Sequence, residues 1–215
     1  MFVKIHDFHS LAVRFCLLLL LYFETINDNL ESSIECTYSN MFLSREDNNC
    51  FTSGLIGDVL TLQRGHDLPK TSMVYGIYPV AGSTGTISYH NEFTTEPPVI
   101  VMGRSGNIGN PRLYNCKCWA HNTTLYVKEY KGCNPVWAFY MLKHINYDKF
   151  VGGSAVPTLN RNFVHSYPIT IPPLLLQTEF ADRATVAINL IEENNREIET
   201  LSELQNVLLS TISSR

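Results

Sequence analysis

Residues 174–215 read LLLQTEFADRATVAINLIEENNREIETLSELQNVLLSTISSR, and no Gly or Pro interrupts them. Phe180, Ala184, Ala187, Ile191, Asn194, Ile198, Leu201, Gln205, Leu208 and Ile212 recur at alternating spacings of four and three. Eight of these ten positions are apolar. That is the heptad of a coiled-coil seam, narrower than the stripe of an ordinary surface helix. At about 1.5 Å per residue the helix reaches roughly 50 Å, too long to be covered within one small domain, so it requires another long helix. The Pro172-Pro173 pair stops whatever precedes it, and Thr178 is the expected N-cap.

The required partner is found at the other end of the chain. Leu11 to about Glu35 also lacks Gly and Pro, and Phe15, Leu18 or Leu19, Tyr22 and Ile26 form its expected apolar face. The two helices are expected to pair antiparallel, within the chain or between chains, with Asn194 and Gln205 selecting one register. The run Phe15–Phe23, preceded by Lys4 and Arg14, is also readable as a signal-peptide core or membrane anchor. Against this, His6, Asp7 and His9 precede the run and no small-residue cleavage pattern follows Phe23. No apolar run of about 18 residues exists to form a conventional span.

Between the helices the texture changes. From about Asp58 to Pro168, short β-branched or apolar runs are broken by Gly, Pro, Asn and Thr. Asp58–Leu62, Pro98–Met102 and Thr124–Tyr130 read as strands, Gly82-Ser83-Thr84-Gly85 as a turn, and Val136–Lys143 as a short helix. The fold class is therefore α+β: one globular domain, a long heptad-patterned helix after it and a shorter amino-terminal helix. The expected boundaries are 1–50, 51–173 and 174–215.

Charge follows the same division. Of 215 residues, the first 59 carry 3 basic and 8 acidic side chains, residues 60–170 carry 10 and 5, and residues 171–215 carry 3 and 7. The overall net charge of −4 thus hides a basic centre between acidic ends, and only the centre is suited to a polyanion. The six cysteines are irregularly spaced, which is expected of free thiols in a reducing cytoplasm.

Catalytic patterns are missing. Gly103-Arg104-Ser105-Gly106-Asn107-Ile108-Gly109 lacks the spacing of a dinucleotide turn, and the 82–86 segment lacks the lysine of a phosphate loop. Asn134-Pro135-Val136-Trp137 lacks the second proline of an amino-methyltransferase centre, and no paired acids resemble a two-metal nuclease. Cys116, Cys118 and His121 are too few and too closely set for a zinc site, and strand alternation makes both cysteines small core residues. No metal and no cofactor is expected. The candidate functional residues are instead those of a DNA interface. Arg104, Ser105 and Asn107 lie among three glycines that let the backbone approach a groove, followed by Arg112, Lys117, Lys128 and Lys131. Arginine pairs with guanine, asparagine with adenine, and lysine neutralises phosphate.

At these residues the sequence resembles the specificity subunits of type I restriction–modification systems. The resemblance is carried, in order, by Ile56-Gly57-Asp58-Val59 with Gly65, Tyr78–Ile87, Val101–Gly109, Cys118-Trp119, Gly153–Asn160 and Ile169–Leu174 leading into the long helix. Ile26-Asn27-Asp28-Asn29-Leu30-Glu31 resembles the end of a spacer helix, whereas Met1–Leu21 matches nothing in the family. The resemblance implies one target recognition domain reading half of a split site in double-stranded DNA. It also implies no catalytic centre, with modification and restriction subunits as partners docked on the helices. The seam Phe180, Ala184, Ala187, Ile191, Asn194, Ile198, Leu201, Leu208 and Ile212 is then a subunit-assembly surface. Gly153–Asn160 is expected to close the domain onto the helix. A chain of this length has room for half of such a subunit, and a homodimer through the long helices would read a palindromic split site. The alternatives are a coiled-coil adaptor that does not bind DNA, an inactive truncated subunit and a membrane-anchored variant.

Overall fold

The structure, a computed structural model, describes residues 2–44, 50–150 and 157–213, with side chains from Leu11 to Thr211. In chain order the elements are α1 (Phe2–Tyr38), β1 (Thr52–Leu55), α2 (Ile56–Val59), β2 (Leu60–Arg64), β3 (Tyr78–Gly82), β4 (Gly85–His90), β5 (Val99–Gly103), β6 (Gly109–Tyr114), β7 (Trp119–Ala120), β8 (Thr124–Tyr130), α3 (Pro135–Lys143), α4 (Arg161–His165), β9 (Pro168–Ile171) and α5 (Leu174–Ser213). The chain divides into two compact units, residues 1–45 with 182–215, and residues 46–181. The α+β class read from the sequence is the class observed.

The helical unit pairs α1 with α5. Because β1 and β9 pair antiparallel, with Thr52 opposite Ile171, the chain leaves and rejoins the helices at the same end, and α1 and α5 run antiparallel. Every seam position of α5 from Ala184 to Leu208 is buried or half-buried, while most residues between them are exposed. The side chain of Ile212 lies outside the described residues. Within the seam Asn194 donates to Asn27 Oδ1 (2.8 Å), and Asn27 donates onward to Asn195 Oδ1 (3.0 Å). A carboxamide pair in an apolar seam penalises every other register, since a slip leaves buried amides unbonded.

The face of α1 that meets α5 agrees with the expected one at Leu19 and Ile26 and departs from it elsewhere. It runs through Cys16, Leu19, Leu20, Phe23, Ile26, Asn27, Leu30, Ile34 and Tyr38, while Phe15, Leu18 and Tyr22 are 61%, 65% and 60% exposed. Phe15–Phe23 is apolar at every position, so periodicity within it selects no face. The choice is made downstream, where polar neighbours leave only the Ile26–Ile34–Tyr38 stripe to bury. Among the described residues no helix is long and apolar enough to cross a membrane.

In the globular unit, a four-stranded antiparallel sheet has the order β2-β8-β5-β6, and a three-stranded sheet the order β4-β3-β7 with β3 and β7 parallel. All five residues of β5 are buried. Alternation turns Val99 and Val101 toward Ala81, Cys118, Ala120 and Tyr126, and sends Ile100 and Met102 to the other face, where α3 packs. Asn134 caps α3 by accepting from the backbone N–H groups of Val136 (2.9 Å) and Trp137 (3.4 Å).

Three local expectations are corrected. Asp58 lies in α2, not in a strand, because its carboxylate accepts from the N–H of Leu55 (2.7 Å) and closes a helical turn before β2 starts. Helix α5 begins directly after Pro173, whose carbonyl accepts from Leu176 and Gln177 N–H. Thr178 is therefore interior, donating to the Leu174 carbonyl (2.9 Å), and caps nothing. Cys116 and Cys118 do not share a face: a bend at Asn115 and Cys116 exposes Cys116, while Cys118 is fully buried. Burial pushes the Cys118 thiol up to about 11.

Candidate nucleic-acid interface

Four turns converge at one rim of the globular unit. The first joins β5 to β6. Arg104 and Ser105 donate their backbone N–H to the Thr123 carbonyl (2.8 and 3.2 Å), and the Arg104 carbonyl accepts from Leu159 (2.8 Å). The backbone of Arg104 is thus held from two sides while its side chain stays half-exposed. A Cβ on Gly103 would run into the Asn107 carbonyl, so the loop closes tightly only because that residue is glycine. Asn107 is exposed at the tip, and Asn110, at φ 50°, donates to its Oδ1 (2.7 Å). That bond occupies the Asn107 carboxamide through its oxygen, so its NH2 group is the donor that remains for a ligand.

The second is the two-residue turn of Ser83 and Thr84 between β3 and β4, where Gly82 pairs with Gly85. Arg112 from β6 donates Nη2 to the Thr84 carbonyl (3.1 Å), and its guanidinium lies where a Cβ on Gly85 would be 3.3 Å from Cζ. Arg112 therefore ties the two hairpin tips together. Ser83 sits against Gly103 and Gly106 from the other side.

The third and fourth turns join β7 to β8 and follow β2. His121 Nδ1 lies 3.0 Å from Thr123 Oγ1, and burial lowers the pKa of this imidazole against the opposing pull of Asp67. Asn122 donates to the Asp67 carboxylate, which also pairs with Arg64 at 3.4 Å. The rim therefore presents three arginines, one acid, and a dense set of amides and hydroxyls. Such a surface suits a polyanion that is also read by hydrogen bonds.

The sequence matches the family described as Type I restriction modification DNA specificity domain over residues 51–203. The chain belongs to that family. It is 25% identical over 150 residues to the Type I restriction enzyme EcoprrI specificity subunit of Escherichia coli, which covers 66% of this chain and 37% of the relative. Two solved structures share the fold. The type I restriction–modification S subunit from M. genitalium aligns at a TM-score of 0.68 with 13% identity, over 97% of this chain and 59% of its own. The HsdS subunit from Thermoanaerobacter tengcongensis aligns at 0.53 with 11% identity, over 96% and 56%. The chain thus spans little more than half the length of the solved specificity subunits, and less of the E. coli one.

For a specificity-family chain, the placement of the seven candidate residues is informative. Arg104, Ser105, Asn107 and Arg112 are gathered at the rim. Lys117, Lys128 and Lys131 are not. Lys117 pairs with Glu96 (3.1 Å) and lies over the Phe93 ring (4.2 Å), beyond the opposite end of the β5–β6 hairpin. Lys131 donates to the Gly57 carbonyl (2.7 Å). Lys128 is exposed four residues along β8 from Thr124, about 13 Å from the rim. Sequence reasoning also missed Ser83, Thr84, Asn110, Asn122 and Thr123. The Gly82–Gly85 turn was visible in the sequence, but its neighbour across the sheet was not. Of the segment expected to close the domain, residues 153–156 lie outside the described residues; Thr158 bridges to Ser105, toward the rim.

Proposed function

We propose that residues 51–173 form a target recognition domain that reads one half of a split sequence in double-stranded DNA. Arg104, Asn107, Ser105 and the Ser83–Thr84 turn approach the bases, and Arg112 fixes the two tips. In this reading the chain is a cytoplasmic, non-catalytic specificity subunit. Its helix pair docks the modification and restriction subunits through surfaces outside the seam, which α1 and α5 bury against each other. The observation that supports it best is the convergence of the 82–85 and 103–109 turns, pinned by backbone bonds, with arginine and amide side chains at the tips. A pinned backbone keeps these side chains together at one place, so such a rim discriminates bases better than lysines scattered over separate strands would.

The test is selection of bound sequences from random duplexes, using the chain with a co-expressed modification subunit. Enrichment of a split motif is expected, with its preference relaxed by Arg104→Ala. A palindromic split motif would mark two copies at work. A stable complex that enriches nothing overturns the reading in favour of an assembly-competent chain that does not read DNA.

A further inference from the structure

Among the described residues of the rim, Asp67 is the one carboxylate, and it stands on a fixed base. Its turn is pinned against the β7–β8 connection: Gly65 N–H donates to the Thr124 carbonyl (3.0 Å) and His66 N–H to the Ala120 carbonyl (2.7 Å). A Cβ on Gly65 would run into the His121 carbonyl, so the two turns meet backbone to backbone. Leu68, the next residue, is buried, whereas the Asp67 side chain is 68% exposed.

Both protein donors that reach this carboxylate take the same oxygen. Asn122 Nδ2 and Arg64 Nη2 donate to Oδ1, the arginine at a long 3.4 Å, and Oδ2 has no partner among the described residues. Asn122 orients the group, while the exposed Arg64 neutralises little of its charge. His121 adds no lasting positive charge, since burial outweighs the pull of Asp67 and lowers its pKa.

An uncompensated carboxylate is a liability on a surface that meets a polyanion, because it repels phosphate whatever the sequence. It is nonetheless held beside the donors. Thr123, next to Asn122 in the chain, accepts the backbone bonds of Arg104 and Ser105. Asn122 and Arg104 are thus on the order of 9 Å apart, about three base-pair steps. Arg104 only donates and the Asn107 oxygen is engaged, so Asp67 supplies the charged acceptor that the tips lack.

We infer that Asp67 Oδ2 accepts from an exocyclic amino group in the major groove, cytosine N4 or adenine N6, and so decides one position of the target. This rests on the reading of the rim as a DNA interface. Thymine and guanine place a carbonyl oxygen where cytosine and adenine place the amine, and a carboxylate repels it. The group therefore selects by exclusion as well as by attraction, at some cost in affinity for duplexes in general.

Selection from random duplexes, with the modification subunit co-expressed, tests it on three chains. Asp67→Asn keeps an oxygen for Asn122 and puts an NH2 donor in place of Oδ2. One position of the wild-type motif should then turn from cytosine to thymine, or from adenine to guanine, by roughly tenfold, and the base lost identifies the amine. In Asp67→Ala the same position should relax, while affinity for an unrelated duplex at low salt rises severalfold as the repulsion is removed. A wild type that enriches nothing overturns the DNA reading and this inference with it. A wild-type motif that both variants leave unchanged overturns the inference alone. So does an Asp67→Ala chain that loses motif and unrelated duplex alike with a lowered melting temperature, since the carboxylate then only supports its turn.

Discussion

Phe180 and Leu208 occupy the same heptad position of α5, four heptads apart, and differ in depth. Phe180 is wholly buried and meets Tyr140 edge to face, with ring centroids 5.3 Å apart. Leu208 is only half-buried in the seam. The one belongs to the closed core of the globular unit, the other to a single line of contact between two helices. A repeating pattern therefore says which face turns inward, and the company it finds there sets what that burial is worth.

The largest expected effect tests that contrast. Phe180→Ala should cost about 3–5 kcal/mol in chemical denaturation, and Leu208→Ala only about 1 kcal/mol, since half its surface stays wet in either case. Equal losses would mean that the seam is packed as tightly as the core. Next in size, Arg104→Ala should weaken duplex binding by about 1–3 kcal/mol and relax one position of the motif. Lys128→Ala and Leu208→Ala should leave the motif unchanged in the same assay. If Leu208→Ala changes the preferred sequence, the two units do not divide the work as proposed.

Asn194→Leu should shift stability by no more than about 1 kcal/mol, because a gained apolar contact offsets the lost bond to Asn27. Amide exchange should nonetheless show faster opening or more than one register in α1. The smallest effect is a pH dependence confined to the globular unit. His165 Nε2 accepts from Leu62 N–H (2.8 Å) at the bulge of β2, and burial together with Arg161 and Lys131 lowers its pKa. Its folded value lies below the ordinary value of about 6.5, so the unfolded chain binds the extra proton first. The bond's stabilisation is whole above that pH and is lost as pH falls toward the depressed value. The melting temperature of the wild type should therefore drop more steeply between pH 7 and 5 than that of His165→Gln.

Much of this arrangement was legible in the sequence, and the exceptions share a cause. The seam of α5 could be read because charged and polar residues fill most of the opposite face of the helix. The Leu-rich run of α1 could not, since a helix apolar all round offers no contrast. The strand expected at Pro98–Met102 emerged one residue later, at Val99–Gly103, and Thr124–Tyr130 emerged as expected. The rim was half legible: Arg104, Ser105 and Asn107 share a loop, and Arg112 lies just beyond it in the chain. That Lys117 would face Glu96 at the other end depends on the direction in which β6 runs. That Ser83 would meet Gly103 depends on which sheet lies over which. Neither is a local property, and no spacing along the chain encodes it.

The pairing of β1 with β9 has an evolutionary consequence. The first strand of the globular unit lies beside its last, with Thr52 opposite Ile171, so the whole unit hangs from two adjacent points of the chain. A segment attached in that way behaves as a cassette. Recombination at its two ends can replace everything from Thr52 to Ile171 without altering the length or phase of either flanking helix. If the rim reads DNA as proposed, exchange of one contiguous stretch of gene would change its preference as a whole, where substitution changes it one residue at a time.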